Sequence, residues 1–181
     1  GSANVITLNL NRIIQNWAKE KEFSREYLAE HFFELSHDFK QYLVEILDRV
    51  YKYHKAYKTM LYETEKAGML NASKAGYIKM NKLYSTIGEN GINEAAEFVG
   101  LKCNYNKAYM NFCRLVTGTI SEQNKIHSEK NFLFNQEFVP AEGLSSKNYN
   151  WDKEDGYWVP EGRVLYNSYF YLADDPETSV L

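Results

Sequence analysis

One hydrophobic stripe limits the possible folds of this chain more than any other feature of the sequence. Within residues 24–66, large apolar and aromatic side chains recur at gaps of three or four positions, which places them on one face of a helix. The members of the stripe are Leu28, Phe32, Leu35, Phe39, Leu43, Ile46, Val50, Tyr53, Tyr57 and Met60. With Ser24 as its N-cap, this helix would be roughly 60 Å long at 1.5 Å per residue. Such a helix needs a broad apolar surface to pack against.

Three segments are predicted to form strands. Residues 5–10, VITLNL, alternate between apolar and mixed side chains, which is typical of a strand with one buried face. Residues from about 132 to 139 and from about 163 to 172 are rich in β-branched and aromatic side chains. A further helix is predicted over about 104–130, with Asn104 as its cap.

The order of these elements predicts an α/β fold. Long helical connections between successive strands favour parallel pairing, because parallel neighbours cannot be joined by a short turn. Residues 84–98, YSTIGENGINEAAEF, are interpreted as an irregular region in which Gly88 and Gly91 form a tight turn and Asn93 caps a short helix. Residues around Trp151 to Gly162 are interpreted as a loop.

Composition excludes several classes of partner. The 181 residues carry a formal charge of −3, which gives no broad positive field for a DNA or RNA backbone. No apolar stretch approaches the roughly 18 residues that a membrane span requires. The two cysteines, Cys103 and Cys113, match neither a disulfide framework nor a CxxC pair, so we expect reduced packing residues in a cytoplasmic protein.

No motif for catalysis or metal binding is evident in this chain. The four histidines lack the i, i+4 pairing and the cysteine partners of a zinc site: His31, His37, His54 and His127. The sequence contains no GxSxG, no GxxxxGK[ST] and no GxGxxG. We therefore assign neither catalytic residues nor a metal site.

The segment FVPAEGLSSKN, residues 138–148, allows two interpretations. It is either a surface turn or a site that holds an anion. Pro140 ends a strand, and Gly143 lets a ligand approach the backbone. If a helix begins near Leu144, its free N–H groups, two serine hydroxyls and a lysine ammonium would surround a phosphate. The nearby carboxylate of Glu142 opposes this second interpretation.

Four segments, in order, resemble landmarks of the anaerobic class III ribonucleotide reductases. These segments are VITLNLNRI (5–13), YSTIGENGINEA (84–95), VPAEGLSS (139–146) and YNSYFY (166–171). The resemblance covers essentially the whole chain and matches an internal part of a much longer family. Two departures from the family pattern are Asn11, where a proline is common, and the ENG that follows STIG.

The resemblance implies a partial ten-stranded α/β barrel of the glycyl-radical type, with long outer helices. It implies reduction of ribonucleoside triphosphates by radical chemistry, with the thiyl cysteine upstream of this segment and the glycyl-radical loop and zinc site beyond it. The radical would be generated by an S-adenosylmethionine/iron–sulfur activase. None of these cofactors is expected within the 181 residues.

The resemblance also implies a set of binding residues. The substrate-phosphate loop would comprise Ala141, Glu142, Gly143, Leu144, Ser145 and Ser146. The candidates for lining the barrel are Asn9, Gly88, Gly91 and Asn167.

Our hypothesis is a single fragment, residues 1–181, of the catalytic domain of such a reductase. Alone it would be inactive, and its open strand edges would favour self-association. A helical interaction module built on the Leu28–Met60 stripe is the alternative from another class, and a non-catalytic nucleotide sensor is a third.

Overall fold

The computed structural model describes residues 1–139 and 142–169. Within them, three strands form one parallel sheet in the order β1, β2, β3. These strands are β1 (Ser2–Asn9), β2 (Tyr84–Asn90) and β3 (Leu133–Phe138). The prediction of a parallel α/β fold is therefore confirmed. The described residues contain these three strands and not the ten strands of the barrel that the resemblance implies.

Helices fill the connections between the strands. They are α1 (Leu10–Glu20), α2 (Arg25–Lys66), α3 (Asn71–Lys74), α4 (Ile92–Phe98), α5 (Lys107–His127) and α6 (Glu142–Glu154), with a 3₁₀ turn at Met80–Lys82. Within the described residues, none of these helices combines the length and the apolar character that crossing a bilayer requires.

The core lies between one side of the sheet and the helices α1, α2, α4 and α5. Leu8, Ile87 and Phe134 define the core-facing side of the sheet, and all three are buried. The predicted stripe of α2 supplies much of the helical side, since Leu28, Phe32, Phe39 and Leu43 are at most 2% exposed. Burial of such side chains is worth about 1.5 to 3 kcal/mol each.

The cap of α2 lies where the sequence placed it. The backbone N–H of Tyr27 donates to Ser24 Oγ at 3.2 Å. The cap of α5 is Asn106, where Asn104 was predicted, because Asn106 Oδ1 accepts from the Tyr109 N–H at 2.9 Å. Helix α5 then ends at His127, three residues before the predicted end.

Two predictions for the middle of the chain were wrong. Residues 84–90, interpreted as part of an irregular region, form the central strand of the sheet, so Gly88 lies in a strand and not in a turn. A Cβ at Gly88 would lie 3.1 Å from Thr7 Cα on the neighbouring strand, so close strand packing explains this glycine. Gly91 is left-handed, with φ of 78°, and precedes α4 in place of the predicted cap Asn93.

The predictions near both ends of the chain also need correction. Residue 10 begins α1, a helix that was not predicted, although Ile14, Trp17 and Ala18 are buried at helical spacing. The start of the interpreted loop, around Trp151, is part of α6, whereas residues 155–162 form no helix or strand, as predicted. The strand predicted at about 163–172 is absent over residues 163–169, and its last three positions lie outside the described residues.

Candidate functional site

The candidate site lies at the carboxyl ends of the three strands. This end of the sheet is here called the carboxyl edge. Because the strands are parallel, Asn9, Asn90 and Phe138 end them on the same side. Helices α1, α4 and α6 begin within four residues of those ends, so three helix N-termini lie near this carboxyl edge. The carboxyl edge of a parallel sheet is the usual place for a ligand in α/β proteins.

Helix α6 packs on this edge through polar side chains. Ser145, Asn148 and Asp152 follow at intervals of three and four, so they lie on one helical face. All three are at most 5% exposed. This helix therefore buries a polar stripe, where an ordinary amphipathic helix buries an apolar one.

The carboxylate of Asp152 is fully buried and accepts hydrogen bonds from four side chains. Asn9 Nδ2 lies 3.0 Å from both carboxylate oxygens. Arg12 Nε donates to Oδ1 at 2.6 Å, which also makes an ion pair. Asn11 Nδ2 at 3.3 Å and the Tyr166 hydroxyl at 2.5 Å donate to Oδ2. Burial, followed by the hydrogen bond to this carboxylate, raises the pKa of the Tyr166 phenol well above its ordinary value.

Asn90, at the end of the central strand, is the second centre of the network. Its Nδ2 donates to Ser145 Oγ at 2.9 Å and to the Asn167 carbonyl at 3.3 Å. Its Oδ1 accepts from Asn148 Nδ2 at 2.9 Å. The hydroxyls of Ser145 and Ser168 lie 3.1 Å apart. Asn90 thereby joins the first half of α6 to the segment around Asn167.

Residues 163–169, here called the strap, lie across the edge of the sheet. The Gly91 N–H donates to the Asn167 carbonyl at 3.1 Å, and the Asn167 N–H donates to Glu94 Oε1 at 3.2 Å. Arg163 forms ion pairs with Glu94, at 3.5 Å, and with Glu97. Burial raises the pKa of Glu94 to about 7, against the opposing effect of the Arg163 charge.

The structure brings some of the predicted phosphate-loop residues to this edge. Ala141 lies outside the described residues, and Glu142 begins α6. Gly143 is exposed, and Leu144 and Ser146 are half-buried. The hydroxyl of Ser145 points inward to Asn90 and Ser168.

The four candidates for lining the barrel lie on three different kinds of element. Asn9 ends β1 and caps α1, since its Oδ1 accepts from the Arg12 N–H at 3.1 Å. Gly88 lies in the central strand, and Gly91 lies between this strand and α4. Asn167 belongs to the strap, so its predicted place on a strand was wrong. Asn9, Gly91 and Asn167 all meet the hydrogen-bond network of the carboxyl edge.

Sequence reasoning missed several residues of this network, among them Asn90, Asp152 and Tyr166. The spacing Ser145, Asn148, Asp152 is a detectable helical signal, but only in a search for polar periodicity. Tyr166 carries no local signal, because its partners Asn11 and Asp152 are distant in sequence.

A group of side chains that could hold a metal ion is not found among the described residues. Over residues 1–139 and 142–169, no three or more His, Cys, Asp or Glu side chains are grouped as a metal ion requires. The resemblance places the zinc site beyond these 181 residues, so that site stays a prediction. Cys103 and Cys113 are free and buried.

Comparison with known proteins identifies the family. The sequence profile of the anaerobic ribonucleoside-triphosphate reductases matches residues 1–181. The chain belongs to this family. Comparison of the chain with the curated proteins found no match.

Solved structures of anaerobic ribonucleotide reductases share the fold of this chain. The Thermotoga maritima enzyme with glycerol in the active site is 25% identical, with a TM-score of 0.77 over 98% of this chain. The same enzyme in complex with dATP and CTP is also 25% identical, with a TM-score of 0.79 over 98%. A further anaerobic ribonucleotide reductase is 26% identical, with a TM-score of 0.76 over 94%. The chain spans 26% to 28% of the length of these three proteins.

Proposed function

We propose that this chain is part of the catalytic barrel of an anaerobic ribonucleotide reductase, which converts ribonucleoside triphosphates to deoxyribonucleotides by radical chemistry. In this proposal the segment supplies parallel strands, and residues 141–146 hold the substrate phosphates. One observation carries the proposal: α6 begins at the carboxyl edge of a parallel sheet in a chain matched throughout by the reductase family.

The start of α6 has the properties of an anion site. The first four N–H groups of a helix have no partner within the helix, and its dipole places partial positive charge there. Gly143 is exposed in this turn, and the ammonium of exposed Lys147 lies one turn later. Such helix N-termini bind phosphate in many α/β proteins. That the Thermotoga maritima relative was solved with dATP and CTP supports a nucleotide as the ligand.

The barrel is the part of the proposal that extends furthest beyond the described sheet. β1 and β3 form the two edges of that sheet, so each offers an unpaired side for a further strand. The chain spans about a quarter of the length of its relatives, which leaves ample chain for the remaining seven strands. We propose that the segment alone is inactive and that its open edges promote self-association.

The chemistry itself would depend on groups outside this segment. When the enzyme is assembled, the glycyl radical made by the activase would generate the cysteine thiyl radical that takes a hydrogen atom from the ribose. We place the radical loop and the zinc site on the remainder of the reductase. This segment's own contribution is to bind and orient the triphosphate. We propose that it acts in the cytoplasm, in keeping with its free thiols.

The alternative of a helical interaction module gains no support. The first half of the α2 stripe packs in the core of the chain itself, with Leu28 and Leu43 fully buried. Only its last members, Tyr53, Tyr57 and Met60, are exposed. A partner helix would therefore meet a short patch and not a continuous stripe.

The substitution Gly143→Asp tests the phosphate loop, with Gly143→Ala as its matched control. A Cβ at Gly143 meets no atom within 4 Å and Gly143 is exposed, so we expect neither variant to disturb the packing. An added carboxylate in the first turn of a helix favours the helix but repels a phosphate. We expect Gly143→Asp to weaken ribonucleoside-triphosphate binding at least tenfold by calorimetry, a loss of about 1.4 kcal/mol. Gly143→Ala should bind within twofold of wild type.

Equal affinities for wild type and Gly143→Asp, with unchanged circular dichroism, would remove residues 141–146 from the binding site. Equal losses in both variants would assign the effect to the backbone of the turn and not to charge.

A further inference from the structure

We propose that Asp152 is a positioning residue that holds α6 so that its amino end points at the anion on the carboxyl edge. The inference deepens the proposed function and rests on it for the identity of that anion. It is carried by the hydrogen bonds of one fully buried carboxylate.

Asp152 joins three segments that are far apart in the sequence. Asn9, Asn11 and Arg12 come from the junction of β1 and α1, more than 139 positions earlier. Tyr166 comes from the strap, 14 positions later. The carboxylate itself lies in the last turn of α6. One side chain therefore fixes the carboxyl end of α6 to the end of a strand and to the strap.

The amino half of α6 has a separate anchor. Ser145 and Asn148 both bond to Asn90 of the central strand. Asp152 lies seven residues after Ser145 on the same helical face, roughly 10 Å along the axis. The two anchors together restrict rotation and swing of α6. Without Asp152 we expect the helix to swing about the Asn90 anchor, which would turn its first N–H groups away from their present direction.

The contacts of Asp152 favour positioning over proton transfer. Oδ1 accepts from Asn9 and from the guanidinium of Arg12, and Oδ2 accepts from Asn9, Asn11 and Tyr166. A carboxylate so occupied has little capacity left to accept a substrate proton. Its role is then to present a fixed set of acceptors, which a neutral amide cannot reproduce because its NH₂ group donates.

The test combines two measurements on the full chain. The first is the ¹H–¹⁵N spectrum without ligand, read at the Gly143 and Leu144 amides. The second is the affinity for inorganic tripolyphosphate by calorimetry. We expect Asp152→Asn to shift both amides and to weaken tripolyphosphate binding about tenfold. Asp152→Glu, which keeps the charge on a longer side chain, should give an intermediate loss.

Asp155→Asn is the matched control. Asp155 also lies beside Arg12, with an ion pair of 2.6 Å, but its side chain is 55% exposed and outside the buried network. This variant should leave both amides and the affinity unchanged within twofold. If Asp152→Asn lowers the melting temperature but keeps wild-type amide shifts and affinity, Asp152 is a structural residue only and the inference is wrong.

Two further outcomes are distinguishable. If Asp152→Asn does not fold, Tyr166→Phe removes one hydrogen bond from the same carboxylate, and it should shift the same amides and weaken binding about threefold. Unshifted amides in a folded Tyr166→Phe protein would then count against the inference. If wild type binds no tripolyphosphate, the phosphate loop of the proposed function fails, and the amide shifts of the ligand-free variants alone decide the role of Asp152.

Discussion

Two fully buried carboxylates at the same end of the sheet have opposite surroundings. Asp152 accepts hydrogen bonds from four side chains, one of them the cation Arg12. Glu89, the next-to-last residue of β2, has no hydrogen-bond partner among the described residues. Both are 0% exposed. Burial raises the pKa of Glu89 to about 7.

The difference follows from the side of the sheet that each carboxylate meets. Glu89 has the same parity as Ile87, so it points to the core-facing side, among apolar side chains of the helices. Ser85 lies on that side too, and its hydroxyl also has no described partner. Asp152 lies at the carboxyl edge, where the asparagines and hydroxyls of three segments meet. At the carboxyl edge, hydrogen bonds stabilise a buried charge. On the core-facing side, charged and polar groups are buried without such bonds, which lowers the free energy of unfolding.

The largest effect should come from neutralising the supported carboxylate. Asp152→Asn leaves Arg12 without its buried partner. It also replaces two carboxylate oxygens, which accept several hydrogen bonds, by a single amide oxygen. Arg12 is 30% exposed, so the cost comes mainly from the buried donors: each donor left without an acceptor costs about 1 to 3 kcal/mol, and two or more together cost about 3 to 5 kcal/mol. We expect a loss of that size in the free energy of unfolding, measured by urea denaturation at pH 7.

Asp155→Asn again provides the contrast. Its exposed ion pair with Arg12 should contribute less than about 1 kcal/mol. If both variants lose the same free energy of unfolding, the buried network stabilises the protein no more than an exposed ion pair does. The contrast between the carboxyl edge and the core-facing side would then be wrong.

Glu89 predicts an effect of opposite sign. A carboxyl whose pKa is raised in the folded state holds its proton more tightly folded than unfolded, so ionisation lowers the free energy of unfolding. The penalty is absent below the ordinary pKa of 4.5, grows as the pH rises, and is complete above about 7. A rise of that size corresponds to about 3 kcal/mol. Glu89→Gln should therefore stabilise the protein by about 3 kcal/mol at pH 8 and by little at pH 4.5.

Glu137→Gln is the control for this pH dependence, because Glu137 lies on the adjacent strand and is exposed. Its stability difference from wild type should stay small across the same pH range. A Glu89→Gln protein that is less stable than wild type at pH 8 would reveal a partner for the carboxylate and end its description as unsupported.

The same contrast explains how far the sequence could be interpreted. Helix α2 was predicted closely because Leu28, Phe32 and Phe39 repeat with the helical period and are apolar. Helix α6 has an equally regular buried face, but Ser145, Asn148 and Asp152 are polar, and a search for hydrophobic periodicity does not detect them. Hydrophobic periodicity therefore predicted the core but could not predict the carboxyl edge.

The predictions for the central strand and for the strap were wrong for related reasons. β2 is buried on both sides from Ser85 to Asn90, so it shows no alternation, and its Gly88 and Glu89 are untypical of strands. Residues 163–169 have the composition of a strand, yet Tyr166 and Asn167 bond to Asp152 and Asn90 across the edge. These tertiary contacts override a local preference. Family resemblance did point to the loop at Gly143 and to Asn9, where local patterns gave no decision.

The smallest effect comes from two serines that differ only in their surroundings. Ser145 and Ser85 are each 1% exposed, but Ser145 Oγ accepts from Asn90 and lies 3.1 Å from Ser168 Oγ, whereas Ser85 Oγ has no described partner. Loss of a hydrogen-bonded hydroxyl costs about 1 kcal/mol, partly because its partners stay buried. Ser145→Ala should therefore lose about 1 kcal/mol in urea denaturation, and Ser85→Ala should be neutral or slightly stabilising. A loss at Ser85 as large as that at Ser145 would mean that ordered water donates to or accepts from the core-facing polar groups. The carboxyl edge and the core-facing side would then differ in the source of their hydrogen bonds and not in the number.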